Sequence, residues 1–316
     1  MMAVMPDPSR WFIIVNPVSG GGRARRRWPQ LAAALARHGL EHDAEVTCSA
    51  GHAVQLAQQA VANGHRRFLA LGGDGSFNEL VNGLLAQSEV PLAQLLAAVA
   101  PLGTGNDWAR TMQVPDDPDL LAAAMARGRS RRVDLGIAEV PAVAGEAARR
   151  QAFHNNAGAG INAEALRLTP RGGPRVLAYL IGLARALMRY RAPQFEVSID
   201  GRLRSGRYLI ALAANGHFYG AGMRLASGAQ VDDGFFDLAL VETMPILGAL
   251  RRLPKLFNGK LATDPAVQIV RCRSVTIHST PTCGVEVDGQ DFGSTPVILT
   301  LRPGALNVLD CRPSAE

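Results

Sequence analysis

The chain has 316 residues, 47% of them hydrophobic and 19% charged, with a formal charge of +6. That is enough for two domains with cores of their own, and it excludes a disordered or low-complexity protein. No run approaches the roughly 18 apolar residues of a membrane-spanning helix, so the protein is expected to be cytoplasmic and at most peripheral to a membrane.

The positive balance favours an anionic partner such as a nucleotide or an acidic lipid headgroup. Lysine occurs only at Lys255 and Lys260. Any phosphate held by the first 254 residues must therefore be met by backbone amides, arginine or a metal ion. The four cysteines (Cys48, Cys272, Cys283, Cys311) show neither CxxC spacing nor a paired histidine, so reduced thiols are expected and not a disulfide frame or zinc site.

Trp11–Val15 is a short apolar strand closed by Asn16-Pro17, too short for the apolar region of a signal peptide. A Gly-rich turn follows, then a helix around Trp28–His38. Ala44–Thr47 and Phe68–Leu71 read as strands, separated by a helix over Ala53–Ala62. The third strand runs into Gly72-Gly73-Asp74-Gly75, after which Phe77–Leu85 is helical. Leu96–Pro101 is a further buried strand. Apolar strands interleaved with helices predict a parallel sheet covered on both faces.

Near Val133 the pattern changes to period two. Phe195–Gly201, Tyr208–Ala213, Phe236–Val241, Val275–Ile277, Val285–Gly289 and Val297–Leu301 alternate between turn residues, which predicts an antiparallel β-sandwich. Pro141–Arg150 reads as an exposed hairpin loop. The division expected is residues 1–133 as an α/β domain and 134–316 as the sandwich, with the extreme C-terminal strand a candidate to pack back on the first domain.

Three glycine clusters follow strands of the first domain: Asn16–Gly22, Gly72–Ser76 and Gly103–Asp107. Ligands of open α/β sheets lie beyond the carboxyl ends of the strands, so the three turns are expected to converge on one nucleotide crevice. GxxxxGK[ST] and an early GxGxxG are both absent, as is a protein-kinase catalytic loop. Asp74 and Asp107 supply carboxylates suited to a hydrated Mg²⁺ against phosphates.

Two basic amphipathic segments, Arg175–Arg191 and Leu247–Leu261, suit either a membrane interface or packing on the sandwich, and Pro254 is expected to kink or split the second. His154 and His217 lack ligand partners at useful spacing and read as structural. No Gly-x-Ser-x-Gly elbow occurs, and no basic stripe interleaves with aromatics, so nucleic-acid binding is not expected.

Asn16-Pro17-Val18-Ser19-Gly20-Gly21, Gly72–Glu79 and Pro101–Arg110 together resemble the bacterial diacylglycerol kinase-like lipid kinases, a family that includes sphingosine and ceramide kinases. The likeness continues through Val133–Gly136, Asn155–Gly160 and Val231–Asp237 and spans nearly the whole chain. The resemblance implies an α/β nucleotide-binding domain followed by a β-sandwich, with ATP and Mg²⁺ phosphorylating a lipid hydroxyl at a membrane surface. A homodimer is compatible with it.

By motif, ATP would contact Asn16, Pro17, Val18, Ser19, Gly20, Thr47, Gly72, Gly73, Asp74, Gly75, Ser76, Phe77, Asn78, Thr104 and Asn106. Asp74, Asp107 and Asp134 would form an aspartate–water–Mg²⁺ network, and a structural Mg²⁺ would sit at Gln230, Asp233 and Phe235, largely through backbone oxygens. The family's proposed base, a Glu after Asp-Gly, is Gln290 here, which cannot accept a proton. Asp291 is the substitute candidate, re-aimed by a bulge, with Asp74 as another. Two other readings remain: an NAD kinase, which shares the Gly-Gly-Asp-Gly turn, and a catalytically weak lipid- or nucleotide-sensing protein.

Overall fold

The computed structural model describes residues 7, 9–142, 147–170, 175–220 and 222–312. The chain divides into two compact units, Met1–Val133 with Gly304–Glu316, and Asp134–Pro303.

The first unit alternates β1 (Trp11–Val15), α1 (Ser19–Arg37), β2 (His42–Val46), α2 (His52–Ala62), β3 (Arg67–Gly72), α3 (Asp74–Ala86), β4 (Leu96–Pro101), α4 (Asp107–Thr111) and α5 (Pro118–Arg127). The strands are parallel in the order β2-β1-β3-β4. Successive side chains of a strand point to opposite faces. Trp11, Ile13, Val15, Leu69 and Leu71 meet Leu31 and Leu35 of α1 and Leu121 and Met125 of α5 on one face. The residues between them, Phe12, Ile14, Phe68 and Ala70, are buried as well. A strand covered on both faces must be apolar throughout, which is why these strands carry no polar alternation.

Helix α1 starts earlier than its apolar periodicity predicts, because the Arg23–Arg27 run is helical too. Helix α5 was not anticipated although its ends are encoded locally. The Asp117 side chain accepts from the Asp119 and Leu120 amides, Pro118 takes the first position, and Gly128 ends the helix left-handed at φ 63°.

β5 (Ser130–Val140) leads into the second unit. There follow β6 (Arg149–Phe153), β7 (Asn156–Gly160), α6 (Ile161–Arg167), α7 (Arg175–Arg189), β8 (Gln194–Ile199), β9 (Arg202–Ala214), β10 (Phe236–Glu242), α8 (Ile246–Phe257), β11 (Val267–Cys272), β12 (Ser274–Thr280), β13 (Gly284–Val287), β14 (Gln290–Ser294) and β15 (Val297–Leu309). Part of the expected 141–150 loop, residues 143–146, lies outside the described residues, as does the Val176 side chain.

Strand β9 turns the corner of the sandwich. Its first half pairs antiparallel with β8 and its second with β7 and β10. The hairpins close on Asp200-Gly201 (φ 47° and 82°) and Asp288-Gly289 (φ 46° and 77°), the left-handed pairs that two-residue turns require. Val297–Thr300 of β15 pair with β12, and Asn307–Val308 further along pair with β4 in the first unit's parallel sheet. The fold is thus an α/β domain with a β-sandwich domain. Helix α8 runs through Pro254 without splitting.

Candidate active site

The three glycine turns lie at the carboxyl ends of β1, β3 and β4 and are locked to one another. The Asn16 amide donates to the Leu71 carbonyl (3.1 Å), and its side chain donates to Ser76 Oγ (3.0 Å) while accepting from the Val18 amide (3.3 Å). Gly20, Gly21 and Gly22 are all left-handed (φ 60°, 67° and 82°), a conformation glycine adopts without a Cβ penalty, and the Gly22 amide donates back to the Val18 carbonyl (3.2 Å). At Gly20 the close approach matters as much as φ, since a Cβ there would lie 2.1 Å from the Leu102 carbonyl oxygen. The Arg23 guanidinium donates to the Gly103 carbonyl, joining the first turn to the third.

The second and third turns touch backbone to backbone. A Cβ on Gly103 would come within 2.3 Å of Gly73 Cα. Asp74 binds the same pair of turns. Its Oδ2 accepts from the Asp107 amide (3.1 Å) and its Oδ1 from the Trp108 amide (2.9 Å), so it caps the five-residue helix α4. The carboxylate predicted as a metal or base group thus has a structural task first. Asp107 is buried, with Oδ1 3.2 Å from Arg110. Both carboxylates come within 4 Å of where a Cβ on Gly105 would sit. Asn106, left-handed at φ 54°, donates to the Pro101 and Gly103 carbonyls (3.0 and 3.2 Å), and its own Oδ1 is buried without a hydrogen-bond partner.

A cation carried in on phosphates needs only one or two protein carboxylates. The Asp107 carboxylate, the orphaned Asn106 oxygen and Asp74 beside them fit that demand, although no group of three metal-ligating side chains occurs among the described residues. Other predicted contacts divide by exposure. Val18, Gly75 and Thr104 are exposed, and Pro17 and Ser19 are half-buried with them in the turns. Thr47 is anchored by its amide to the Val15 carbonyl (2.9 Å). Phe77 and Asn78 are core residues. The Phe77 ring stacks on Trp108 with centroids 5.6 Å apart, and Asn78 accepts from Asn82 Nδ2 (3.0 Å). Their side chains pack the turn from behind, so a direct nucleotide contact through them does not fit.

The remaining predicted residues belong to the second unit. Asp134 is buried and ties its strand to the 231–234 loop, accepting from the Gly234 amide (2.7 Å) and donating its own amide to the Val231 carbonyl (2.6 Å). The structural metal is expected largely on backbone oxygens of Gln230, Asp233 and Phe235, and the Asp233 side chain there has partners of its own. Asp233 Oδ1 accepts from the Phe235 amide (3.0 Å), and the Arg271 guanidinium occupies its Oδ2. Arg271 and Arg273 also lie 4.3 and 4.8 Å from the Phe235 ring centre.

Gln290 opens β14 and is exposed. The strand is not regular here, the pairing slipping from Glu286↔Asp291 to Val285↔Gly293, and Asp291 meets Arg167. Two hydrogen bonds of 2.9 and 2.8 Å from Arg167 hold the Asp291 carboxyl below its ordinary range. A carboxylate so stabilised in its charged form is a poor proton acceptor.

Glu286, not singled out from the sequence, is the unusual group of this hairpin. It is 2% exposed, and its carboxylate accepts from Asn162 Nδ2 (2.7 Å), the Gly289 amide (2.7 Å) and the Tyr219 hydroxyl (3.3 Å). Burial pushes it up to about 7 despite those bonds. Its signal was a carboxylate flanked by Val285 and Val287 two residues before an Asp-Gly turn. Asp288 beside it has the opposite fate. Burial alone would raise it, but His154 Nδ1 at 2.9 Å and the amides of His154, Asn155 and Asn156 at 3.0 Å hold it low.

The second unit also holds an apolar pocket of about 630 Å³, open to solvent, between α7, α8 and the strands β9 and β10. Leu183, Leu187, Leu209, Ile210, Leu253 and Leu256 are among its walls.

The family model of the diacylglycerol kinase catalytic domain matches residues 10–138, and that of the YegS C-terminal NAD kinase beta sandwich-like domain matches residues 155–310. The diacylglycerol kinase of Bacillus subtilis (strain 168) is 27% identical over 289 residues, 90% of either chain. That of Staphylococcus aureus (strain MRSA252) is 27% identical, covering 90% of this chain and 87% of its own. Two crystal structures from Bacillus anthracis str. Sterne share the fold. One superposes with a TM-score of 0.78 at 22% identity, covering 98% of this chain and 99% of the other. The second, of a diacylglycerol kinase, gives 0.73 at 21% identity and 98% coverage of both.

Proposed function

This chain belongs to the diacylglycerol kinase-like family, and we propose that it transfers the γ-phosphate of ATP to the hydroxyl of a lipid acceptor. The observation that carries the proposal is the interlocked set of glycine turns, Gly20–Gly22, Gly72–Gly75 and Gly103–Gly105, with Asp74 and Asp107 at their junction. Free backbone amides of the glycine turns would meet the phosphates, so a lysine is not needed. Asp107, with Asp74 and Asn106 beside it, would hold a hydrated Mg²⁺ that neutralises charge on the transferred phosphoryl group.

The acceptor's hydrocarbon would lie in the apolar pocket of the second unit. No helix among the described residues is long and apolar enough to cross a membrane. An enzyme with a lipid acceptor then works at the membrane surface. Helix α8 supports this, since Ile246, Leu247, Leu250 and Phe257 are all exposed beside Arg251. Phosphoryl transfer depends mainly on positioning and charge neutralisation, so Gln290 need not abolish turnover.

A mixed-micelle assay with whole lipid extract and γ-labelled ATP tests the proposal, comparing wild type with Asp107→Asn. Label in the organic phase from wild type alone supports a lipid kinase, and chromatography of the product identifies the acceptor. Label appearing on NAD instead would move the protein to the NAD kinase reading. Gln290 favours one other reading, a weakly catalytic sensor. Nucleotide binding without turnover, with activity gained in Gln290→Glu, would establish it.

A further inference from the structure

Two tyrosines form part of the apolar pocket's wall. Tyr179 comes from α7 and Tyr219 from the turn after β9, and their hydroxyls meet at 2.8 Å behind the wall. Their rings cross edge to face at 6.3 Å. Tyr219 then donates to Glu286 Oε2, while Glu286 Oε1 accepts from the Gly289 amide at 2.7 Å. One unbroken hydrogen-bonded path therefore runs from the pocket wall to the turn in which Gly289 precedes Gln290.

A buried carboxylate is costly unless it is paired. Among the described residues no cation pairs with Glu286: His154 is engaged by Asp288, and Arg167 on α6 by Asp291. The groups facing it are Asn162 of α6, the two tyrosines, the Gly289 amide and the Asp288 carboxylate. Burial and the nearby Asp288 both raise its pKa, and burial with the Glu286 charge raises those of Tyr179 and Tyr219, so the tyrosines are donors throughout the physiological range. An uncharged residue would pack here at lower cost. What the Glu286 side chain provides is a simultaneous hold on the tyrosine pair and on the turn, one oxygen to each.

We propose that Glu286 is a positioning residue that couples occupancy of the apolar pocket to the geometry of the Asp288–Gly289–Gln290 turn. A hydrocarbon chain in the pocket fixes the rings of Tyr179 and Tyr219. Their hydroxyls fix the Glu286 carboxylate, and the carboxylate fixes the Gly289 amide and the start of β14. The kinetic part of this inference rests on the lipid-kinase reading; the structural coupling does not.

Amide hydrogen exchange of the 287–291 segment, measured with and without dodecanol as the pocket probe, tests the coupling without any turnover. In the wild type dodecanol should slow exchange there by about tenfold, the effect of holding one hydrogen bond closed. Tyr219→Phe, which keeps the ring and removes the hydroxyl, should bind dodecanol and lose the slowing. Glu286→Ala, which removes both oxygens, should behave the same way. Loss of label transfer in the micelle assay with the exchange effect intact would sink only the kinase reading. Failure of dodecanol to bind, or equal slowing in wild type and Tyr219→Phe, would overturn the coupling. In turnover, Tyr219→Phe should keep the acyl-length dependence of KM and lose that of kcat; retention of both would also count against it.

Discussion

Replacing Gly103 by alanine is the sharpest test of how the nucleotide turns are held. A Cβ there would lie 2.3 Å from Gly73 Cα and 2.7 Å from Asn106 Oδ1, where ordinary contact begins at 3.4 Å. The turns must separate by about 1 Å to relieve this. They cannot do so freely, because the Leu102 amide donates to the Gly72 carbonyl at 2.8 Å and both Arg23 and Asn106 hold the Gly103 carbonyl. Overpacking of about 1–3 kcal/mol plus one or two strained hydrogen bonds gives a cost of about 2–4 kcal/mol. Gly39→Ala is the control. It meets no atom within 4 Å, so its cost is the left-handed φ alone, about 1–2 kcal/mol.

Urea unfolding measures both costs, and kcat/KM for ATP reads the site. A 1 Å misplacement of binding groups should lower kcat/KM about a hundredfold in Gly103→Ala and leave it unchanged in Gly39→Ala. If Gly103→Ala proves no less stable than Gly39→Ala and keeps its kcat/KM, the contact between the two turns does not constrain the site.

Asp74→Ala removes the cap of α4 and should cost about 1–2 kcal/mol in urea unfolding, with ATP affinity falling as well; affinity loss at unchanged stability would mean that the capping role is unimportant. Glu286 makes stability depend on pH. Its folded pKa, about 7, exceeds the ordinary 4.5, so its stabilising contribution is complete below pH 4.5 and is lost as pH rises through 7. Relative to Glu286→Gln, wild type should lose roughly 3 kcal/mol over that interval, and parallel stability curves would contradict this. Asp264 has the opposite sign. Lys255 at 2.7 Å and Arg252 at 2.9 Å from α8 hold its buried carboxylate well below the ordinary range. Its contribution is present above about pH 4 and is lost as pH falls through the lower folded value. Asp264→Ala should therefore destabilise by about 2 kcal/mol at neutral pH and by less in acid, as thermal unfolding would register.

Much of the first unit was legible because its signals are local. The β1, β3 and β4 strands are continuous apolar runs, and each is followed within a few residues by glycines whose backbone freedom the turn requires. The Asp200-Gly201 and Asp288-Gly289 hairpins were legible for the same reason, since two adjacent residues set the turn type. Helix α5 shows that the same kind of signal can be overlooked, because Asp117, Pro118 and Gly128 mark its ends without any tertiary help.

What the tertiary structure alone decided concerns charge. The residues Asp74, Asp233, Glu286 and Asp291 are all carboxylates, and their neighbours along the chain do not fix what each one pairs with. Asp74 became a helix cap because the Asp107 and Trp108 amides arrive from the next turn. Asp233 pairs with Arg271, 38 residues away. Asp291 was claimed by Arg167, and Glu286 was buried against Asn162, partners 124 residues distant in the chain. Backbone conformation follows from the residues at hand, whereas the ionisation of a carboxylate follows from the solvent excluded and the partners brought to it, and only the folded chain sets those.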